Sequence, residues 1–319
     1  MTDRTLTFDI GGSSVKVALI DGGLEPRIAA RPFAPIALRT GHIDELKDHV
    51  VSTTAAALRD VDSIDRIAIS TTGIVTADGI VTESGSITGY AGTSWAQTLE
   101  HSFPGRFQVV HVANDGDCAA WAEFVAGSGR SVKSLAHFVL GTGLGGGAVV
   151  RGELVADPPG GPGNFAHVTV PAKERATCAC GNDRCAEAFA ATRGVLRCAP
   201  TGATTIRELS TRMLGGDSEA ISAFATAGAW LGHAIATVAG LLEIETVTVG
   251  GGLALAARTP AGNVYVDQAR RTAQELSATS LQVLESRLGN DGGLLGAAAL
   301  AMRTPTRQPA HSDRRHVPG

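Results

Sequence analysis

His167 and the run Cys178-Ala179-Cys180-Gly181-Asn182-Asp183-Arg184-Cys185 place one imidazole and three thiols within a short span, with Gly181 freeing the turn between the second and third thiol. Such a set suits tetrahedral zinc, and four protein ligands leave no open coordination position. The metal would therefore be structural, fixing the loop that carries His167 and Glu187, and the reaction chemistry must lie elsewhere. The competing reading is a group of unrelated reduced cysteines beside a satisfied histidine. Cys118 and Cys198 read as small core residues. Five cysteines, an odd number, argue against a disulfide framework and for a reducing compartment.

A second set of chemistry-bearing residues consists of acids beside glycine turns. Asp9 opens Asp9-Ile10-Gly11-Gly12-Ser13-Ser14 and offers hard carboxylate oxygen to Mg²⁺; its plainer reading is a turn-forming aspartate. Ser13, Ser14 and Lys16 are close enough to help with phosphate charge, though Lys16 is equally compatible with a solvated strand position. Gly141-Thr142-Gly143-Leu144-Gly145-Gly146 has the dinucleotide spacing, but Ala148–Val155 after it reads as strand and turn, where that fingerprint needs a helix. The glycines would instead let backbone N–H groups approach phosphate oxygens, with the Thr142 hydroxyl as a further donor. Asp115 can act as a general base toward a hydroxyl attacking a phosphoryl group, with Asn114 beside it on neighbouring hydroxyls. An Asn-Asp helix cap accounts for the same pair.

These groups need elements to hold them. Leu6–Phe8 and Val15–Ile20 form a hairpin around the first glycine turn; Leu135–Leu140 and Ala148–Val150 form another around Gly141–Gly147. Asp44 caps a helix with Leu46, Val50, Val51 and Leu58 on its apolar face. Strand Ile64–Ser70 leads to Thr72-Gly73, and strand Val109–Val112 ends at Asn114-Asp115 before a helix over Cys118–Val125. Polar side chains at a strand's carboxyl end sit where open α/β sheets usually bind ligands. Thr246–Val249 runs into Gly250-Gly251-Gly252, and Gly292-Gly293 opens a last alanine-rich helix. Residues from about Thr304 onward, poor in apolar groups, read as a disordered tail.

Composition limits the functions open to the chain. Its 319 residues suffice for two domains, and a net charge of −4 without Lys/Arg–aromatic clustering offers nucleic acid no face. Met1-Thr2-Asp3-Arg4 lacks the layout of a secretory signal, which predicts a cytoplasmic protein. Ile221–Leu242 is uncharged and long enough to span a bilayer, yet it is rich in small residues and lacks basic flanks; a helix buried between layers is expected instead.

Taken in order, Asp9-Ile10-Gly11-Gly12-Ser13, Asn114-Asp115, Gly141–Gly147, His167 with Cys178/Cys180/Cys185 and Glu187, and Gly250–Gly252 resemble the ROK family of repressors and sugar kinases over nearly the whole chain. The resemblance implies two actin-like α/β domains with a ligand cleft between them. The first would comprise 1–113 with about 291–303, and the second, 114–290, would carry the zinc knuckle. ATP would span both glycine hairpins, contacting Asp9, Gly11, Gly12, Ser13, Lys16, Gly141, Thr142 and Gly143, with adenosine near Gly250, Gly251 and Gly252. Asp115 would be the base and Asp9 the Mg²⁺ contact. Asn114, Asn164, His167, Glu187 and Gly73 would meet sugar hydroxyls, His167 serving zinc and sugar through its two ring nitrogens. A homodimer or homotetramer is implied as well.

The chain departs from the family pattern chiefly on the sugar side. The usual Glu-x-Gly-His is Asn164-Phe165-Ala166-His167; Asp117 stands where Asn is common; Arg184 replaces a glycine; and Ser86-Ile87-Thr88-Gly89-Tyr90 stands for Asn-Leu-Pro-Gly-Trp. A carboxamide in place of a carboxylate loses a charge-assisted acceptor. The acceptor is therefore left open among hexoses, N-acyl hexosamines and C7-cyclitols. The alternatives are a catalytically silent sugar binder, disfavoured by the retained Asp9 and Asp115, and a polyphosphate-dependent kinase, disfavoured by the lack of a basic run. A repressor is disfavoured because only a few residues precede the first strand.

Overall fold

The computed structural model describes residues 4–12, 14–22, 26–31, 33–39, 41–61, 64–84, 87–155, 164–200 and 202–305. Ser13 and the expected tail beyond 305 lie outside the described residues, as does the side chain of Asn164.

Alternating apolar residues build the first sheet. Strands β1 (Arg4–Ile10) and β2 (Ser14–Asp21) form the expected antiparallel hairpin; β3 (Arg27–Ala30) and the short β4 (Ile36–Ala37) pair with β2. Helix α1 (Ile43–Asp60) crosses to β5 (Ile64–Thr71), which lies parallel to β1. A small three-stranded sheet follows, β6 (Ile74–Val75), β7 (Ile80–Glu83) and β8 (Thr93–Ser94), then α2 (Trp95–Ser102) and β9 (Val109–Asn114), parallel to β5. Leu6, Phe8 and Ile69 pack with Leu46 and Val50 of α1, so burial of the helix's apolar stripe sets its position. The cap of α1 is His42, not Asp44: the helix starts at Ile43, and the His42 Nδ1 accepts the Asp44 N–H at 3.3 Å.

Helix α3 (Asp115–Val125) then leads to a second sheet of matching topology. Strands β10 (Leu135–Leu140) and β11 (Leu144–Val150) form its hairpin, and β12 (Glu153–Leu154) adds to the outer edge. The turn is tighter than expected. Leu144–Gly147 belongs to the strand, because Gly146 and Gly147 lie flat against β10 and α3, leaving only Gly141–Gly143 at the tip. After a 3₁₀ turn at Asn164–His167 come α4 (Ala186–Ala190), α5 (Thr192–Arg197), α6 (Ile206–Leu214) and α7 (Ser218–Leu242). Strand β13 (Thr246–Gly250) joins β10 in parallel; α8 (Gly252–Ala256), the ribbon β14 (Arg258–Thr259) and β15 (Gly262–Asn263), and α9 (Val264–Leu276) precede β16 (Gln282–Glu285), parallel to β13.

Among the described residues, helix α7 is the one helix long and apolar enough to cross a membrane. Its Phe224, Ala227, Leu231 and Ile235 are fully buried in the core shared with Tyr265 and Ala269 of α9. The last helix, α10 (Gly292–Arg303), returns to the first sheet, where Leu294, Leu295 and Ala298 pack with Ala18 and Ile20. It also lies against α3 so closely that a Cβ on Gly296 would stand 1.7 Å from the Cys118 carbonyl oxygen. Cys118 is buried as expected. Cys198 is exposed at the end of α5, because that short helix turns its last residues outward.

Candidate active site

A cleft of about 890 Å³ opens between the carboxyl ends of the two sheets' central strands. The first hairpin brings Asp9, Gly11 and Lys16 to one wall; the second brings Gly141, Thr142 and Gly143 to the other. Gly73, Asn114, Asp115, Glu187 and Gly251 also line it. His167, Gly12, Gly250 and Gly252 are not among the lining residues.

Asp115 is the first residue of α3. It faces open water in the cleft but is surrounded by protein on its other sides, and its carboxyl is raised to about 6, first by that desolvation and then by the nearby Asp9 carboxylate. The Asn114 carboxamide is the helix cap: its oxygen accepts Gly116 N–H at 2.8 Å and Asp117 N–H at 3.2 Å, while its nitrogen donates to the Gly73 carbonyl at 2.9 Å. The two readings of the Asn-Asp pair thus overlap: Asn114 is the cap, while Asp115 lines the cleft and also accepts the Gly116 N–H at Oδ1, at 2.9 Å.

On the opposite wall the Lys16 ammonium bonds Asp9 Oδ2 at 2.8 Å and the Asn290 carbonyl at 3.0 Å, and the Ser70 hydroxyl donates to Asp9 Oδ1 at 2.9 Å. Lys16 is thus an ion-pair partner rather than a solvated strand residue. A Cβ on Gly293 would stand 2.5 Å from Asp9 Oδ1 and 2.8 Å from Ser70 Oγ, so glycine there lets the start of α10 approach this carboxylate closely. The hard donor that Mg²⁺ would find here is the Asp9 carboxylate, whose two oxygens also bond Lys16 and Ser70.

The turn of the second hairpin is pinned from behind: the Gly141 carbonyl accepts the Thr192 hydroxyl at 2.7 Å and its N–H at 3.1 Å. Gly251 follows β13 at φ 94°, with its Cα against the Leu140 backbone, a position a side chain would close. Beside it lies a smaller cavity of about 430 Å³, lined by Leu255, Arg258, Glu285, Ser286, Arg287 and Gly289, with Ser286 and Gly289 common to both spaces.

The four expected zinc ligands converge. His167 Nδ1 lies 3.6 Å from Cys178 Sγ, Cys180 and Cys185 Sγ are 3.4 Å apart, and all four donor atoms lie within 4.8 Å of one another. A tetrahedral site with Zn–S near 2.3 Å places its donors about 3.8 Å apart, so the cluster fits the ion. Glu187 joins this knuckle to the cleft: the Cys178 thiol donates to Oε1 at 3.5 Å and the Leu144 N–H to Oε2 at 3.2 Å.

Sequence reasoning assigned no role to three polar groups at or just behind the cleft. Ser70 holds Asp9 from the end of β5. Asp117 is buried with Oδ1 unpartnered, and its carboxyl is raised to about 7 by burial and then by Asp115. Glu123, 1 % exposed, meets Ser286 across the wall. Glu123 was visible as an acid in an apolar helix and Asp117 as a departure from the family pattern; Ser70 left no signal.

The chain matches the ROK family over residues 5–304. It is 31 % identical to an N-acetylmannosamine kinase of Escherichia coli across 93 % of this chain and 98 % of that one. Among solved structures, a ROK glucokinase from Streptomyces griseus in complex with glucose and AMPPNP superposes with a TM-score of 0.78 at 25 % identity, covering 94 % of this chain and 100 % of that one. A ROK hexokinase from Thermus thermophilus gives 0.75 at 26 % identity, covering 94 % and 98 %. The paired sheets are the two-domain actin-like arrangement, and the chain belongs to the ROK family.

Proposed function

We propose that the protein is a sugar kinase that transfers a phosphoryl group from MgATP to a hydroxyl of a hexose or hexose-like acceptor, with Asp115 as general base. The observation that carries this reading is a cleft-facing carboxylate whose pKa is raised to about 6 and which stands between two glycine hairpins. Asp115 takes the proton of the attacking hydroxyl as the oxygen closes on the γ-phosphorus. Asn114 fixes the first turn of α3, and so the direction of Asp115. Lys16 and the Thr142 hydroxyl and N–H at the tip of the second turn neutralise phosphate charge, while the Gly11 and Gly141 N–H groups close their own turns on the Ser14 and Gly143 carbonyls. Mg²⁺ near Asp9 supplies the remaining charge neutralisation. The adenosine fits the smaller cavity beside Gly251 and Leu255.

Zinc on His167, Cys178, Cys180 and Cys185 orders the knuckle, and Glu187, on the knuckle and at the cleft, is the sugar contact this arrangement favours. His167, with Nδ1 turned to Cys178 and no part in the cleft lining, is assigned to zinc and not to the sugar contact the resemblance implied for it. The Escherichia coli relative's name and its 31 % identity favour an N-acyl hexosamine as the acceptor to test first.

The test is ADP release with MgATP against N-acetylmannosamine, glucose and other hexoses, with Asp115→Asn run in parallel. The expected result is turnover with one acceptor and a loss of about 10²–10⁴-fold in kcat in the variant. Sugar binding without turnover on any acceptor would overturn the kinase reading in favour of a silent binder.

A further inference from the structure

Glu123 lies about two turns beyond Asp115 on the same α3, and is buried at 1 % exposure among residues that line the cleft. A buried carboxylate is tolerated only where donors surround it. Glu123 has three. Oε1 accepts the Ser286 hydroxyl and the Leu288 N–H, the latter at 3.4 Å; Oε2 accepts the Ser128 N–H at 2.8 Å. The Ser128 hydroxyl in turn donates to the Glu285 carbonyl at 2.7 Å, so both ends of the contact grip the segment that leaves β16.

That segment leads to the phosphate wall. Two residues beyond Leu288, the Asn290 carbonyl accepts from Lys16 Nζ at 3.0 Å, and the same ammonium bonds Asp9 at 2.8 Å. Hydrogen bonds thus run from the interior of α3, through residues 286–290, to the lysine and aspartate of the first hairpin. Helix α3 holds the base at its start and the anchor of the opposite wall near its end.

We propose that Glu123 is a positioning residue for the donor nucleotide: by fixing residues 286–290 it holds the Asn290 carbonyl where it aims Lys16 at the phosphates. The inference rests on the kinase reading but assigns a role to a residue outside the reacting groups. Glu123→Gln keeps the shape and replaces one acceptor oxygen by a donor facing other donors; Ser286→Ala removes one donor and leaves Leu288 and Ser128 in place.

The experiment measures Mg-AMPPNP affinity by calorimetry for the native chain, for Glu123→Gln and Ser286→Ala, and for each of these combined with Lys16→Met. The expected result is about tenfold weaker binding for Glu123→Gln and about threefold for Ser286→Ala, with less than about twofold further loss when either is added to Lys16→Met. Where the enzyme turns over, KM for MgATP rises while KM for the sugar holds. If Glu123→Gln does not fold, Ser286→Ala and its double variant carry the test. Unchanged affinity, or losses that add fully to that of Lys16→Met, would overturn the proposal while leaving the kinase reading intact. A native chain that binds no Mg-AMPPNP would remove both.

Discussion

Two carboxyls at the start of α3 are held in their protonated forms well above the ordinary aspartate range, with opposite consequences for rate and stability. For Asp115, raised to about 6, the base is active only when ionised, so kcat/KM should climb as pH rises through about 6 and level off above it. A pH–rate profile flat between 5 and 8 would remove Asp115 from that role. For Asp117, raised to about 7 by burial, the folded chain keeps a proton that the unfolded chain releases near 4, so its contribution is present at low pH and lost as pH rises through that window. Asp117→Asn should therefore leave Tm unchanged near pH 4 and raise it by several degrees near pH 8; equal shifts at both pH values would mean that Asp117 does not titrate there. Asp9 and Asp115 were legible in the sequence because each sits at a strand end beside a turn. Asp117 was legible only as a departure from the family, since its missing partner depends on burial that no spacing reveals. The lysine bond to Asn290 joins residues 274 positions apart, and Lys16 read alone could not disclose it.

At the level of elements, the knuckle and the second hairpin are coupled through Glu187, which follows the ligand Cys185 by two residues in the first turn of α4 and accepts the Leu144 N–H at 3.2 Å. Stripping zinc with a chelator should therefore reduce sugar affinity more than nucleotide affinity, together with a fall in Tm, and re-addition of zinc should restore both. Loss of nucleotide affinity alone would break the link drawn here. The knuckle was readable because four soft ligands seldom gather in one short span except around a metal. Both hairpins were readable from alternation around glycine, but the second turn was drawn too long, because glycines can lie within a strand where β10 and α3 approach closely. The start of α1 was misplaced by the same limit: Asp44 is a good cap by type, yet burial of Ile43 pulls the first turn forward and leaves the cap to His42.

For the molecule as a whole, the two sheets repeat one plan, a hairpin extended by two parallel strands, and their hairpin turns face a shared cleft. Because both proposed substrates enter that one space, sugar and Mg-AMPPNP together should raise Tm by more than the sum of their separate shifts, read by thermal denaturation at fixed concentrations. Strictly additive shifts would mean that the two ligands do not communicate. The repeat itself was only half legible: the hairpins stood out, but the pairing of β5 with β1 and of β13 with β10 joins strands far apart in the chain.

The backbone passes between the sheets twice, outward from β9 into α3 and back from β16 into α10, and where the two crossings meet, Gly296 rests on the carbonyl of Cys118 with no side chain between them. A bulkier residue at 296 would force these two crossings apart, and with them the two sheets they join, without touching either substrate.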